Sequence, residues 1–189
     1  MTPALKICGV NDAAFAAEAE RLGANYLGFI FAPGTPRNVT PEQATEIGRG
    51  LAGTARRVGV FVKQSPDEIL AIMRQVGLDV VQLHRRATTE DVAAIRSAGY
   101  EVWTLAGGAP GDGVLFDSSH SDGETVLRKG AYKAILAGGI SAENLSEARL
   151  VEPDVIDVSG SLESSRGVKS IPLLRAFIEI WIRRISHNT

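Results

Sequence analysis

The sequence predicts an α/β fold, a single compact (β/α)8 barrel of the TIM type over residues 1–189. Three observations carry this expectation: eight short apolar runs read as strands, helical patterns follow most of them, and no linker or low-complexity segment splits the chain. The first strand is Leu5 to Gly9. Behind it, Asn11 and Asp12 are good N-caps for a helix with Phe15, Ala19 and Leu22 on one face, closed by Gly23. Tyr26 to Phe31 is the second strand. A Pro/Gly loop from Ala32 to Asn38 leads to Thr40-Pro41-Glu42-Gln43, a capping-box pattern with Pro at the first helical position. Arg57 to Val62 is the third strand, and Ser65-Pro66-Asp67-Glu68 opens a helix whose apolar face is Ile69, Ile72, Met73 and Val76, stopped by Gly77.

Val80 to His84 is the fourth strand, followed by a helix with Val92, Ile95 and Ala98 on its face and Gly99 at its end. After the fifth strand, Glu101 to Leu105, the segment from Ala106 to Asp112 is too short and too rich in Gly and Pro for an ordinary helix. Helix 5 reads as deleted. The sixth strand is Val114 to Asp117, and the shortened segment from Ser118 to Gly130 has room for at most a turn or two of helix around Thr125 to Lys129. Ala134 to Leu136 is the seventh strand, with a helix after Ser141, and Val155 to Val158 is the eighth. The last helix carries Leu173, Leu174, Phe177, Ile178, Trp181, Ile182 and Ile185 on one face. An open doubly wound sheet is the alternative fold; a GxGxxG turn after the first strand would favour it, and Cys8-Gly9-Val10-Asn11 offers none. Sharing 189 residues among eight units leaves roughly 24 each, against roughly 250 residues for a typical barrel of this kind.

Composition excludes several classes of function. With 20 Lys and Arg against 22 Asp and Glu, the net charge of −2 leaves no basic excess for a nucleic acid, and no Lys/Arg run marks a membrane surface. One Cys forms no internal disulfide and supplies no Cys-rich zinc site; three scattered His add no metal-ligand spacing. No signal peptide is read at the start, and no run approaches the roughly 18 apolar residues of a membrane span. A cytoplasmic protein without nucleic-acid or membrane partners is expected; monomer and homodimer both stay open.

In such a barrel the active site lies at the carboxyl ends of the strands. Those positions hold Cys8, Arg37 in the loop after the second strand, His84, Asp117, Gly138 with Gly139, and Ser159 with Gly160 and Ser161. Read alone, each has a plain alternative. Cys8 is a small buried hydrophobe or a reactive thiol, with Lys6 on the same face of the strand. Asp117 caps a turn or acts as an acid, Arg37 is a solvated charge or an anion clamp, and His84 lines the pocket or hydrogen-bonds backbone. The Gly138-Gly139 pair makes a tight turn, a close approach for phosphate, or both.

Taken in order, Lys6-Ile7-Cys8-Gly9, Gly28-Phe29-Ile30-Phe31 with Pro33-Gly34-Thr35-Pro36-Arg37, Val58-Gly59-Val60-Phe61-Val62, Gln82-Leu83-His84, Leu136-Ala137-Gly138-Gly139 and Asp157-Val158-Ser159 resemble the phosphoribosylanthranilate isomerase family of tryptophan biosynthesis. The resemblance implies an Amadori rearrangement of N-(5-phosphoribosyl)anthranilate to the 1-deoxyribulose phosphate without a cofactor. It implies Cys8 as general base, Asp117 as general acid, Arg37 on the anthranilate carboxylate, and Gly138, Gly139, Ser159, Gly160 and Ser161 on the phosphate. Lys6 and His84 are possible pocket-lining residues. The base role calls for a thiol pKa below about 8.5, which the Lys6 charge would favour, and the acid role for a raised carboxyl pKa.

The chain also departs from the family pattern. Ser118-Ser119-His120-Ser121-Asp122-Gly123-Glu124-Thr125 replaces a GGTG-like segment, the Gly after the eighth strand is displaced by one position, and Arg85 and Arg86 follow His84 where Gly is usual. Three outcomes follow from this: a compact active isomerase, an isomerase of altered aminoaldose preference, or a phosphosugar-binding barrel without catalysis. Retention of Cys8, Arg37 and Asp117 favours the first.

Overall fold

The computed structural model describes residues 2–118 and 130–183. Eight parallel strands close into a barrel in chain order: β1 (Ala4–Cys8), β2 (Tyr26–Phe31), β3 (Arg56–Phe61), β4 (Val80–Leu83), β5 (Glu101–Leu105), β6 (Gly113–Asp117), β7 (Lys133–Ala137) and β8 (Val155–Val158), with β8 pairing back onto β1. Helices α1 (Ala13–Arg21), α2 (Pro41–Arg49), α3 (Pro66–Val76), α4 (Thr89–Ser97), α5 (Leu145–Leu150) and α6 (Ile171–Arg183) lie between and after them. Residues 106–112 join β5 to β6 without a helix. A two-stranded hairpin, β9 (Glu163–Ser165) and β10 (Val168–Lys169), precedes α6.

Strand alternation sorts the apolar residues into two cores. Cys8, Tyr26, Val58, Val60, Val80, Trp103, Leu115, Ile135, Ala137 and Val155 form the cluster inside the barrel. Their neighbours Leu5, Ile7, Leu27, Phe29, Phe61, Val81, Leu83 and Ile156 face outwards and pack under the helices. The amino-terminal end of the interior is closed by Glu101, which accepts from Arg56, from Trp103 Nε1 at 2.7 Å and from Lys133 Nζ at 2.7 Å.

One polar device recurs four times around the same end. The residue preceding each even-numbered strand accepts a backbone N–H from the odd-numbered strand before it: Asn25 from Leu5 (2.8 Å), Asp79 from Arg57 (2.7 Å), Asp112 from Val102 (2.9 Å) and Asp154 from Ala134 (2.7 Å). These ties satisfy donors that the sheet ladder leaves open and fix the register of each strand pair. Buried Glu20 does related work beside α1. Its carboxylate takes the N–H groups of Ala52, Thr54 and Ala55, and although burial opposes the charge, these bonds hold its pKa below the ordinary carboxylate range.

The expected caps are present, with local corrections. Capping boxes open α2 (Thr40 with Gln43), α3 (Ser65 with Glu68) and α4 (Thr88 with Asp91). Asp12 alone caps α1; Asn11 instead donates from its side chain to Gly167 O. The helix expected after Ser141 starts at Leu145, because the Asn144 side chain accepts from Ser141 N and donates to Gly139 O, holding residues 141–144 as a turn. On α6 the buried face is Leu174, Phe177, Ile178 and Trp181, whereas Leu173 and Ile182 are exposed. The helical stripe is thus narrower than the run of apolar residues. Ile185, the turn around Thr125 to Lys129 and the shortening after β6 lie outside the described residues. Among the described residues no helix is long and apolar enough to cross a membrane.

Gly77 ends α3 in the left-handed region at φ 71°, donating its N–H to Met73 O. A side chain there meets the steric penalty of that region. Gly77→Ala is expected to cost about 1–2 kcal/mol, read as a lower urea midpoint at unchanged slope.

Candidate active site

The carboxyl end of the barrel opens into a cavity of about 630 Å³, the size of a small-molecule site. The chain-order closure brings together residues from every part of the sequence. Cys8, Arg37, His84, Asp117, Gly138, Gly139, Ser159, Gly160 and Ser161 all line this one cavity. Lys6 does not. It lies one strand step below Cys8, fully buried, with its ammonium 2.6 Å from Asp157 Oδ2. Period-two geometry puts both on the interior face, but the depth of the interior keeps Lys6 beneath the floor.

Cys8 owes its space to Gly28 on the neighbouring strand, since a Cβ on Gly28 would stand 3.0 Å from Cys8 Sγ and 3.3 Å from Lys6 Cε. Burial pushes the Cys8 thiol above its ordinary value; the charges of Lys6 and Lys169 pull the other way and Asp157 adds to the rise. The direction is opposite to the sequence expectation, because desolvation of a buried thiolate outweighs the adjacent cation. Lys6 itself stays above its ordinary value. Burial favours losing the proton, but Asp157 and Cys8 retain it. The Asp157 carboxyl is raised by burial, against Lys6.

Asp117 ends β6 with its carboxylate 3.9 Å from His84 Nε2. Gly138 lies against it: φ is +89°, and a Cβ there would fall 2.6 Å from Asp117 Oδ1 and 2.4 Å from Ser118 Oγ. Gly139 follows at φ +63°, with open space where a side chain would stand. The two glycines therefore serve both the turn and the approach to the cavity. The Ser118 hydroxyl donates to Gly138 O at 2.8 Å and closes that turn.

Ser159 and Ser161 are expected on the phosphate, but both of their hydroxyls serve the scaffold. Ser159 donates to Cys8 O at 3.0 Å and Ser161 to Ile140 O at 2.7 Å. What remains for an anion is the backbone of the 3-10 turn Gly160–Leu162, whose first N–H groups have no partner within the turn.

Arg37 crosses from the loop after β2 to the hairpin. Its Nε and Nη2 donate to the two Glu163 oxygens at 2.6 and 2.9 Å, a two-pronged pair. Glu163 also accepts from Gly167 N and from buried Lys169, whose ammonium binds Ser159 O at 3.0 Å. Although burial opposes ionisation, these partners hold the Glu163 carboxyl down at about 2. Glu163→Gln is expected to raise KM about fivefold with little change in kcat, by releasing Arg37, since a charged hydrogen bond is worth about 1.5–3 kcal/mol and part of it is recovered by Gln. A lowered pKa contributes stability above the ordinary Glu value of about 4.3, lost as pH falls towards 2. Urea titrations of the Gln variant should therefore show a flatter stability profile across that acid window.

Glu163, Lys169, Asp157, Gln82 and Arg166 belong to the site or its wall and had no assigned role in the sequence reading. Asp157 and Gln82 were within reach of it: each lies two residues before a position at a strand end, on the same inward face. The hairpin residues carried no periodic signal.

A family model described as N-(5'phosphoribosyl)anthranilate (PRA) isomerase matches residues 5–180. The chain belongs to this family. An N-(5'-phosphoribosyl)anthranilate isomerase of Desulforamulus reducens is 36% identical, with 97% of each chain covered. The Granulibacter bethesdensis isomerase is 32% identical, covering 94% of this chain and 97% of its own. That alignment spans 203 positions, more than the 189 residues available, so this chain lacks residues that its relative has. The crystal structure of the Thermus thermophilus isomerase superposes with a TM-score of 0.83 at 34% identity, over 96% of this chain and 99% of that one. A phosphoribosyl anthranilate isomerase in complex with reduced 1-(o-carboxyphenylamino)-1-deoxyribulose 5-phosphate also superposes at 0.83, at 28% identity and with the same coverage.

Proposed function

We propose that this chain converts N-(5'-phosphoribosyl)anthranilate to 1-(o-carboxyphenylamino)-1-deoxyribulose 5-phosphate, the isomerase step of tryptophan biosynthesis, at the carboxyl end of its barrel. The observation that carries the reading is the single cavity holding Cys8, Asp117 and Arg37 in a chain of this family. Asp117 protonates the ribose ring oxygen, and the ring opens to an iminium at C1′. The positive nitrogen acidifies the C2′ proton, which the Cys8 thiolate removes, and the electron pair moves into the C1′–C2′ bond to give an enolamine. Return of a proton at C1′ and loss of the enol proton leave the 2-ketone.

A thiol with a raised pKa is the scarcer but stronger base. Lys6 supplies the charge that makes its ionised form reachable. Gly138, Gly139, Gly160 and Ser161 present backbone to the phosphate, and Arg37, held by Glu163, faces the carboxylate. The substrate is a small phosphosugar. A cytoplasmic location, where a lone thiol such as Cys8 stays reduced, completes the reading.

The test is loss of substrate fluorescence when N-(5'-phosphoribosyl)anthranilate is generated in situ, together with growth of a tryptophan auxotroph lacking this step. Turnover with complementation is expected. Saturable binding of the reduced product analogue without turnover would instead identify a binding-only barrel.

A further inference from the structure

The β9–β10 hairpin carries one more cation to the cavity. Arg166 sits at its tip, lines the cavity and is exposed; it has no hydrogen bond or ion pair with the described residues. The other Arg and His side chains lining the cavity have partners: Arg37 with Glu163, and His84 beside Asp117. An unpaired guanidinium in a pocket wall is a site for a carboxylate or phosphate oxygen.

The position of the hairpin indicates which end of the ligand it meets. The loop leaves β8 next to the β7 loop, where Ser161 is tied to Ile140 O. It then passes over the end of β1, the strand paired with β8, to the loop after β2. There Gly167 O accepts from Asn11 Nδ2 at 2.9 Å, and Gly167 presses so closely on the loop after β2 that a Cβ would stand 2.5 Å from Pro36 O. Gly167, at φ +85°, makes this approach possible, and it places Arg166 beside the loop that carries Arg37. Arg37 gives its Nε–H and one Nη2–H to Glu163 and keeps its two Nη1 hydrogens and the other Nη2 hydrogen for a ligand. A carboxylate offers about four lone-pair sites, more than one guanidinium edge fills, and a second guanidinium beside Arg37 can take those left over.

Resting on the isomerase reading, we propose that Arg166 is a further specificity-determining residue, pairing with the carboxylate at the aromatic end of the substrate. Because the side chain is exposed and must be ordered on binding, its effect is moderate and falls on affinity rather than on the chemical step.

The experiment measures Kd, by calorimetry on the full chain, for reduced 1-(o-carboxyphenylamino)-1-deoxyribulose 5-phosphate and for the same compound lacking its carboxyl group. Arg166→Met, which keeps the apolar stem, is expected to weaken the carboxylated ligand about tenfold and the other less than about twofold. Arg166→Lys should recover part of the loss. Equal weakening of both ligands, or of neither, overturns the inference. Because these measurements read binding alone, they stay interpretable if the parent protein fails to turn over the aminoaldose, the result that overturns the isomerase reading itself.

Discussion

Cys8→Ala is expected to lower kcat by about 10³-fold while leaving the affinity for the reduced product analogue nearly unchanged. General base catalysis contributes about 10²–10⁴-fold, and no other described thiol or amine lines the cavity to take over. Ala fits the small interior site beside Gly28, so folding should survive. Cys8→Ser is the sharper control, because it nearly preserves shape and removes the accessible ionisation; it should be as inactive as the Ala variant. Burial raises the thiol pKa, so the ionised base accumulates only as pH rises. For the parent enzyme, kcat/KM is therefore expected still to be increasing at about pH 8.5, the ordinary thiol value. A profile flat from neutral pH upwards, or an Ala variant with normal turnover, would remove Cys8 from the base role.

Asp117→Asn should be comparably damaging, again about 10³-fold in kcat, for a different reason. The amide is nearly isosteric and keeps a hydrogen bond to a ring oxygen, but it has no proton to transfer. Ring opening should stop while substrate and analogue still bind. Because Cys8 acts on the iminium that ring opening creates, the two losses should not add. The Cys8→Ala/Asp117→Asn double variant is expected to be about as slow as either single one. Multiplicative losses would mean that both residues act on the same transition state, against a sequence of ring opening followed by proton removal.

Much of the site was legible in the sequence because barrel topology converts strand ends into neighbours. Once eight strands were read, Cys8, His84, Asp117, Gly138 and Ser159 had to meet at one mouth, although up to 151 residues separate the Ser159 and Cys8 that hydrogen-bond there. Depth was not legible. Lys6 shares the face of Cys8 yet lies under the floor, bonded to Asp157, because a closed interior has layers that period-two alternation does not number. The sign of the Cys8 shift was missed for a related reason: residue types announce a nearby cation but not the loss of water around the thiol. The hairpin was invisible for want of periodicity. Glu163 and Lys169 occupy short extended pieces on either side of the Arg166–Gly167 turn, and their partners Arg37 and Ser159 come from other loops.

The sequence by itself determined the strand and helix order, the missing helix before β6, and the set of residues that reach the open end of the barrel. Those follow from local patterning and from a topology with one natural closure. Only the tertiary structure decided which hydroxyls are spent on the scaffold, which guanidinium is already paired and which is open, and that burial outweighs Lys6 at Cys8. Each of these depends on distances between distant segments and on the water excluded from them, quantities that no local pattern of residues encodes.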